Sequence, residues 1–142
     1  MTYLLDTDHI SILQFGSGPE YAALAARVAQ HLAVDLAFSV VSFHEQVLGA
    51  HTFISRARGA GDVVRGYRLL GEIFRGFSAA PVLPFDAAAA AVFDSLRGQR
   101  IRVATMDLRI AATALSRGLV LVTRNVSDFG RVPGLVTESW TS

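Results

Sequence analysis

The 142-residue sequence contains no cysteine and no lysine, so all thirteen of its basic residues are arginine. Without cysteine, the chain has no disulfide framework, no thiolate zinc site and no cysteine nucleophile. Without lysine, it lacks the phosphate-binding residue of Walker-type P-loop enzymes and the amine that forms a Schiff base. These two absences remove several large classes of enzyme.

Long uncharged apolar runs are also absent. No such run approaches the ~18 residues that a membrane-spanning helix needs. The richest stretch, Ala87 to Phe93, lies between Asp86 and Asp94. Residues 1–20 lack the basic region of a signal peptide and carry Asp6 and Asp8 instead. We therefore expect a cytoplasmic protein.

Hydrophobic residues are plentiful, at 51% of the chain against 18% charged, with a mean hydropathy of +0.40. This composition excludes a disordered chain, because enough apolar surface is present to offset the entropy of ordering. The length suits one compact domain, and no repeat or linker marks a boundary. We expect a single domain over residues 1–142.

Charge is distributed unevenly, although the net charge is only +1. Residues 1–55 hold one arginine and five acids, a sum of −4. Residues 56–75 hold five arginines and two acids (+3), and residues 97–131 hold seven arginines and two acids (+5). Because guanidinium groups suit phosphates, two basic segments beside an acidic remainder fit a nucleic-acid groove. On charge alone, an ordinary solvated surface is the favoured explanation of the pattern.

Short apolar segments alternate with helical patterns along the chain, which favours a parallel α/β sheet covered on both faces. Strands are predicted at residues 2–6, 36–40, 81–84, 119–123 and 135–137. Helices are predicted at residues 7–15, 19–32, 42–58, 62–77, 86–97 and 106–117, with Asp62 capping the fourth. Gly16, Gly118 and the pair Gly59 and Gly61 are predicted helix stops.

Four acids lie where these strands end or where the next helix begins. They are Asp6, Glu45, Asp107 and Asp128. Ligands of an open parallel sheet bind beyond the carboxyl ends of its strands, so these acids are the candidates for chemistry.

Each acid also has a local explanation. Asp6 could cap the helix that follows it, and Ser42 with Glu45 fits a capping box. Asp107 could be a cap or a favourable acid of a first helical turn, and Asp128 could form an Asx turn. Taken singly, each local explanation outweighs catalysis.

The local explanation is weakest for Asp107, because it lies three and four residues before Ile110 and Ala111 in an apolar stripe. A carboxylate near a buried stripe is costly without a cation. Several carboxylates at one sheet edge repel each other unless a metal holds them. Hard oxygen ligands on few side chains favour magnesium or manganese over zinc.

Four segments of the chain, in order, resemble the successive motifs of PIN-domain ribonucleases, and most closely those of VapC-type toxins of bacterial toxin–antitoxin pairs. They are Leu4-Leu-Asp-Thr-Asp-His-Ile-Ser11, Ser42-Phe-His-Glu-Gln-Val-Leu-Gly49, Asp107-Leu-Arg-Ile-Ala-Ala-Thr-Ala114 and Leu121-Val-Thr-Arg-Asn-Val-Ser-Asp-Phe129. Each motif alone is weak, but four in order make a strong signal.

The resemblance implies a Rossmann-like α/β/α sandwich with a central parallel sheet, and cleavage of RNA that depends on Mg²⁺ or Mn²⁺. It implies a homodimer and a small antitoxin protein as partner. The catalytic and metal-binding acids it implies are Asp6, Glu45, Asp107 and Asp128, with polar support from Thr123 and Asn125. Asp6 and Asp107 match the family pattern best, and Asp128 matches it least.

Two other interpretations stay open at this point. Asp6-Thr-Asp8 resembles the D-x-D motif of haloacid-dehalogenase-like phosphatases, although those enzymes use a later lysine that this chain lacks. A PIN-like domain that binds without catalysis is the second. His9 and His44 lie beside the first two acids, but we interpret both as packed or partly exposed residues outside catalysis.

Overall fold

The computed structural model describes residues 2–142, and a parallel sheet of five strands lies at its centre. The strands follow the spatial order β3-β2-β1-β4-β5, and every neighbouring pair is parallel. Their bounds are β1 Tyr3–Leu5, β2 Leu36–Ser39, β3 Val82–Leu83, β4 Val120–Val122 and β5 Thr137–Glu138. The predicted parallel α/β architecture is confirmed.

Seven α-helices connect the strands within residues 2–142. They are α1 Thr7–Phe15, α2 Pro19–Ala29, α3 Val40–Ser55, α4 Ala60–Gly76, α5 Ala87–Gly98, α6 Thr105–Arg117 and α7 Val126–Phe129. Short 3₁₀ turns at Ala33–Asp35 and Phe77–Ala79 precede β2 and β3. Gly16 and Gly118 end α1 and α6 with φ of 77° and 65°, a backbone conformation that favours glycine. Both of these predicted stops are confirmed, whereas the stop predicted at Gly59 and Gly61 is wrong, because α3 already ends at Ser55.

Strand order reverses direction at β1. From β1 the chain moves to β2 and β3 on one side, and then returns to place β4 and β5 on the other. Leu5 pairs with Val122, and the backbone N–H of Asp6 donates to the Val122 carbonyl at 2.9 Å. The crevice at such a reversal, beyond the carboxyl ends of the two strands, is where open α/β sheets bind ligands.

Two hydrophobic cores cover the two faces of the sheet, as the alternation of side chains along a strand requires. Leu4 and Leu121 point to the core built with α5 and α6. Leu5 and Val122 point to the opposite core, which α1, α2 and α4 cover. The sheet is therefore the middle layer of an α/β/α sandwich, as predicted.

The start of α3 differs from the prediction. The helix begins at Val40 rather than at residue 42, and Ser39 caps it by accepting from the Val41 N–H at 3.0 Å. Ser42 is buried inside the helix, so the Ser42–Glu45 capping box is wrong. Glu45 lies in the second turn of α3, not the first.

Other element boundaries also differ from the prediction. Gly59, not Asp62, is the N-cap of α4, and Asp62 is an acid of the first turn that pairs with Arg65. The segment around Asp128, predicted as a loop, contains the short helix α7. The last strand lies at Thr137–Glu138 instead of residues 135–137. Within residues 2–142, no helix is both long and apolar enough to span a membrane.

Candidate functional site

Asp6 lies at the centre of the carboxyl edge, directly after β1. Its Oδ1 accepts from the Thr7 N–H at 2.8 Å, so it does cap α1. Its Oδ2 accepts from the Thr123 hydroxyl at 2.7 Å, across the strand reversal. The local explanation of Asp6 is therefore confirmed, and the same carboxylate also faces the crevice between β1 and β4.

Burial dominates the electrostatics of Asp6, which is only 5% exposed. Loss of solvation is the main reason that its pKa rises from 3.8 to about 7, and the negative charges of Asp8 and Asp107 contribute to the rise. The hydrogen bonds from Thr123 and Thr7 act in the opposite direction. A carboxyl group in this setting carries its charge at a cost, and that cost falls when a cation is near.

Glu45 comes to the same edge from the second turn of α3. Thr7 Oγ1 lies 2.9 Å from Glu45 Oε1 and 2.9 Å from Ser42 Oγ, so α1 and α3 share one polar contact. Partial burial raises the pKa of Glu45, and the charge of Asp107 adds to the rise. Thr7 thus holds the Glu45 carboxylate in place, and Ser42 contacts Thr7 in turn, a role that nothing local in the sequence indicated.

Asp107 is the third residue of α6, whose N-cap is Ala104. It is therefore an acid of the first turn and not a cap. Partial burial raises its pKa, with further increases from the charges of Asp128 and Asp8. Among residues 2–142, no side chain or backbone group forms a hydrogen bond or ion pair with the Asp107 carboxylate. It is a half-buried acid that no protein group neutralises.

Asp128 lies in α7, at the outer side of the group. Asn125 caps this helix and donates from Nδ2 to Asp128 Oδ2 at 3.0 Å. Arg131 lies 3.5 Å from the other carboxylate oxygen. The Asn125 N–H donates to Thr123 Oγ1 at 3.0 Å, which joins this loop to Asp6. The structure therefore connects Asp128, Asn125 and Thr123 to the other acids.

Asp8 also belongs to this group of acids, although its sequence pattern did not place it among the predicted site residues. Its Oδ2 accepts from the Arg124 N–H at 3.1 Å, and its charge raises the pKa of Asp6, Glu45 and Asp107 alike. The Asp6-Thr-Asp8 spacing is the signal in the sequence that could have identified it. The partner on Arg124 could not be read there, because it is 116 residues away along the chain.

The acids share donor chemistry, although they do not form a ready-made ligand shell. Within residues 2–142, no three histidine, aspartate or glutamate side chains are close enough to hold one metal ion as they stand. They are close enough to raise one another's pKa values. Every donor among them is a carboxylate oxygen. Such donors, with water completing the shell, fit Mg²⁺ or Mn²⁺.

Two clefts open beside the acids. One, of about 600 Å³, includes Asp8, Pro19 and Arg124 in its lining, and Arg124 reaches Glu20 at 3.1 Å across the rim. The other, of about 450 Å³, includes His44 and Arg109. Cationic side chains in both clefts offset part of the acidic charge.

Curated relatives align with much of this chain, whereas no family model matches it. The chain is 43% identical over 74 residues to the tRNA(fMet)-specific endonuclease VapC of Shigella flexneri, an alignment that covers 49% of this chain and 56% of that protein. It is 32% identical over 109 residues to the protein of the same name from Salmonella typhimurium, covering 74% and 75%. It is 30% identical over 142 residues to Ribonuclease VapC1 of Haemophilus influenzae, covering 99% of each.

Solved structures give the same result. DNA-bound VapBC from Salmonella typhimurium matches 99% of this chain with a TM-score of 0.79 and 26% identity, over 98% of that chain. VapBC-1 from nontypeable Haemophilus influenzae matches with a TM-score of 0.77 and 26% identity, over the whole of both chains.

Proposed function

Because this chain belongs to the VapC family of PIN-domain ribonucleases, we propose that it hydrolyses RNA phosphodiester bonds with Mg²⁺ or Mn²⁺ held by its acidic cluster. The observation that carries the proposal is the environment of the Asp107 carboxylate. This carboxylate is half-buried, has a raised pKa and has no partner among residues 2–142. Such a group is unfavourable in the folded protein unless a cation binds it.

Asp6 and Asp107 would be the main metal ligands, with Glu45 and Asp128 completing the acidic side of the site. A bound divalent ion supplies an activated water and neutralises charge on the phosphoryl and leaving oxygens. Thr123 orients Asp6 by donating to Oδ2, and Thr7 orients Glu45. These hydroxyls fix the carboxylates before any ligand arrives, which reduces the reorganisation needed during the reaction.

The RNA would cross the carboxyl edge of the sheet, along the two clefts beside the acids. Arg124 and Arg109 line those clefts and offer guanidinium groups to phosphates. Two of the relatives are named tRNA(fMet)-specific endonucleases, so tRNA(fMet) is the first substrate to examine.

We further propose an antitoxin partner and a homodimer. The matching structures are VapBC toxin–antitoxin complexes, which supports a small antitoxin protein as the partner of this chain. The dimer is supported by exposed apolar side chains on α4, among them Val64, Tyr67 and Phe74. Phe77, which the sequence analysis places in the same helix, instead packs in the core against Phe38 and Phe43.

The test is RNA cleavage by the parent chain with Mg²⁺, with Mn²⁺ and with chelator, using tRNA(fMet) and an elongator tRNA. We expect metal-dependent cleavage that Asp107→Asn abolishes. Asp94→Asn is the matched control, because Asp94 is an exposed acid on α5. Cleavage unchanged by chelator, or retained by Asp107→Asn, would contradict the proposal. RNA binding without cleavage would favour the non-catalytic alternative instead.

A further inference from the structure

His9 is a fully buried histidine of α1 that the proposed function leaves without a role. Its two ring nitrogens contact different parts of the molecule. Nδ1 lies 2.8 Å from Asp8 Oδ1, and Nε2 accepts from the backbone N–H of Trp140 at 3.3 Å. The ring therefore bridges the C-terminal segment and the acidic cluster.

The contact with Trp140 determines where the proton of the neutral ring lies. A backbone N–H can only donate, so Nε2 must present its lone pair. The proton of the neutral imidazole is then on Nδ1, which donates to the Asp8 carboxylate. This resembles the arrangement around many functional histidines, in which a bond at one nitrogen sets the role of the other.

The contact with Asp8 completes the fixation of that carboxylate. His9 binds Oδ1, and the Arg124 N–H binds Oδ2 at 3.1 Å. Both oxygens are thereby held by rigid donors, one from α1 and one from the backbone after β4. Asp8 keeps 29% of its side chain exposed, so the fixed carboxylate still reaches the cleft beside the acids.

The far end of this series of contacts is equally rigid. Trp140 is fully buried, stacks on His31 with ring centroids 4.8 Å apart, and packs edge-on against Tyr3 at 4.8 Å. Through Tyr3, this ring packs directly against β1. The position of Asp8 is set, through His9, by a residue that follows β5 at the edge of the sheet.

We propose that His9 is a positioning residue, which donates from Nδ1 to Asp8, accepts at Nε2 from the Trp140 backbone, and so holds Asp8 as a fifth acid of the cluster. The proposal rests on the proposed function for the importance of the cluster, and on the hydrogen bonds above for the role of His9.

Three variants separate positioning from mere packing. His9→Ala removes both hydrogen bonds. His9→Asn restores a donor near the Nδ1 position, and His9→Gln restores an acceptor near the Nε2 position. We expect kcat on RNA to fall roughly 10- to 100-fold in His9→Ala and His9→Gln, the range for outer partners of metal ligands, with KM little changed. His9→Asn should recover most of the activity that His9→Ala removes.

A readout without RNA uses Mn²⁺ alone. The rise in Tm on adding Mn²⁺ should be smaller in His9→Gln than in the parent, and His9→Asn should recover it. If His9 only fills space and anchors Trp140, His9→Gln would have a higher kcat on RNA and a larger rise in Tm with Mn²⁺ than His9→Asn. That order, or equal behaviour of the two variants, would overturn the proposal.

The tautomer itself is measured in the parent chain by two-bond ¹H–¹⁵N correlation of labelled histidine at neutral pH. We expect the proton on Nδ1 and the lone pair on Nε2, and a proton on Nε2 would overturn the proposal. This measurement is independent of catalysis. A parent chain that cleaves no RNA would refute the proposed function, while the tautomer and the Mn²⁺ response would still decide the role of His9.

Discussion

At the scale of single residues, several carboxylates of the acidic site also have a local role at the start of a helix. Asp6 caps α1 and accepts from Thr123, while Asp107 and Asp8 lie in the first turns of their helices. An acid in a first helical turn is stabilised by the helix dipole, which lowers the cost of gathering these charges. Local sequence patterns therefore could not separate capping from catalysis, because Asp6 suits both.

Substituting Asn for Asp6 or Asp107 isolates the chemistry, since Asn caps a helix about as well as Asp. We expect RNA cleavage to fall by at least about 100-fold, because even the outer partners of metal ligands cost roughly 10- to 100-fold. Without metal, both variants should match or exceed the parent in stability, since one repelling charge is gone. Adding Mg²⁺ or Mn²⁺ should raise the stability of both variants by less than it raises the stability of the parent.

Melting curves with and without metal, run beside the cleavage assay, check both parts of this expectation. Full activity in either variant would refute the role assigned to these acids. A sharp fall in metal-free stability would instead show that the carboxylate is needed for folding.

The raised pKa of Asp6 leads to a pH dependence of stability. In the folded chain, Asp6 keeps its proton up to about pH 7. In the unfolded chain its pKa is the ordinary 3.8, so the group has already lost its proton above that pH. The folded state thus binds more protons in this range, so Asp6 makes the free energy of unfolding fall as the pH rises from 3.8 to about 7.

In chelator, Asp6→Asn should remove this contribution. Urea unfolding of the parent and the variant at pH 5 and pH 8 measures this contribution. The free energy of unfolding of Asp6→Asn minus that of the parent should be more positive at pH 8 than at pH 5. An unchanged difference between the two pH values would show that Asp6 titrates normally in the fold.

At the scale of elements, the sequence predicted the succession of helices and strands well, because each apolar period and each glycine stop is local. The prediction was wrong where a contact between residues far apart in the sequence determines the structure. Ser42 resembles a cap, yet α3 begins earlier and Ser42 faces Thr7 of α1. The pairing of Thr123 with Asp6 and of Asp8 with Arg124 also joins residues far apart in sequence. Such contacts exist only once the sheet order is known.

The α3–α4 pair depends on a close approach at Gly66, which is buried. A Cβ placed there would lie 2.3 Å from Ile54 Cγ1 and 3.2 Å from Phe53 Cδ1. Gly66→Ala should therefore lower the free energy of unfolding by about 1–3 kcal/mol through overpacking. The higher helix propensity of Ala should offset up to ~1 kcal/mol of this loss.

Gly49→Ala is the matched control within the same helix pair. A Cβ at Gly49 meets no atom within 4 Å. Gly49→Ala should therefore raise the free energy of unfolding by about 0.5–1 kcal/mol, because Ala favours the helix more than Gly does. Denaturant unfolding of both variants measures the difference. Equal stabilisation by the two substitutions would mean that α4 can move away from α3 freely.

At the scale of the whole molecule, arginines lie both at the acidic edge and away from it. Residues 56–75 hold five arginines, and three of them, Arg65, Arg68 and Arg75, lie in α4. Arg65 and Arg68 are exposed there, although Arg65 also pairs with Asp62.

Replacing Arg65 and Arg68 with Gln should weaken RNA binding and flatten its dependence on salt, by about 0.7 in the log–log slope for each phosphate that these arginines neutralise. Arg117→Gln is the control, because Arg117 lies at the opposite end of α6 from Asp107 and pairs with Asp86. Binding titrations at several salt concentrations measure the slopes. An unchanged affinity and slope would show that α4 does not contact the RNA.

The exposed apolar face of α4 predicts the homodimer. Val64, Tyr67 and Phe74 are 56%, 59% and 69% exposed, and exposed apolar patches of this kind mark interfaces. Sedimentation at micromolar concentration should show a dimer that Tyr67→Asp with Phe74→Asp converts to monomer. Val136→Asp, at an equally exposed apolar site elsewhere, should leave the dimer intact. A monomeric parent would refute the prediction.

The central place of β1 has a consequence for the order of events during synthesis. Tyr3 and Leu5, made among the first residues, pair on one side with β4, which emerges only near residue 120. Contacts between such distant segments form late and slowly. Until β4 emerges, Thr123 cannot reach Asp6, and until Trp140 follows, His9 Nε2 lacks its backbone partner. A nascent chain therefore lacks part of its acidic site until both of these segments have been synthesised, so the site is assembled late although its first acid, Asp6, is made early.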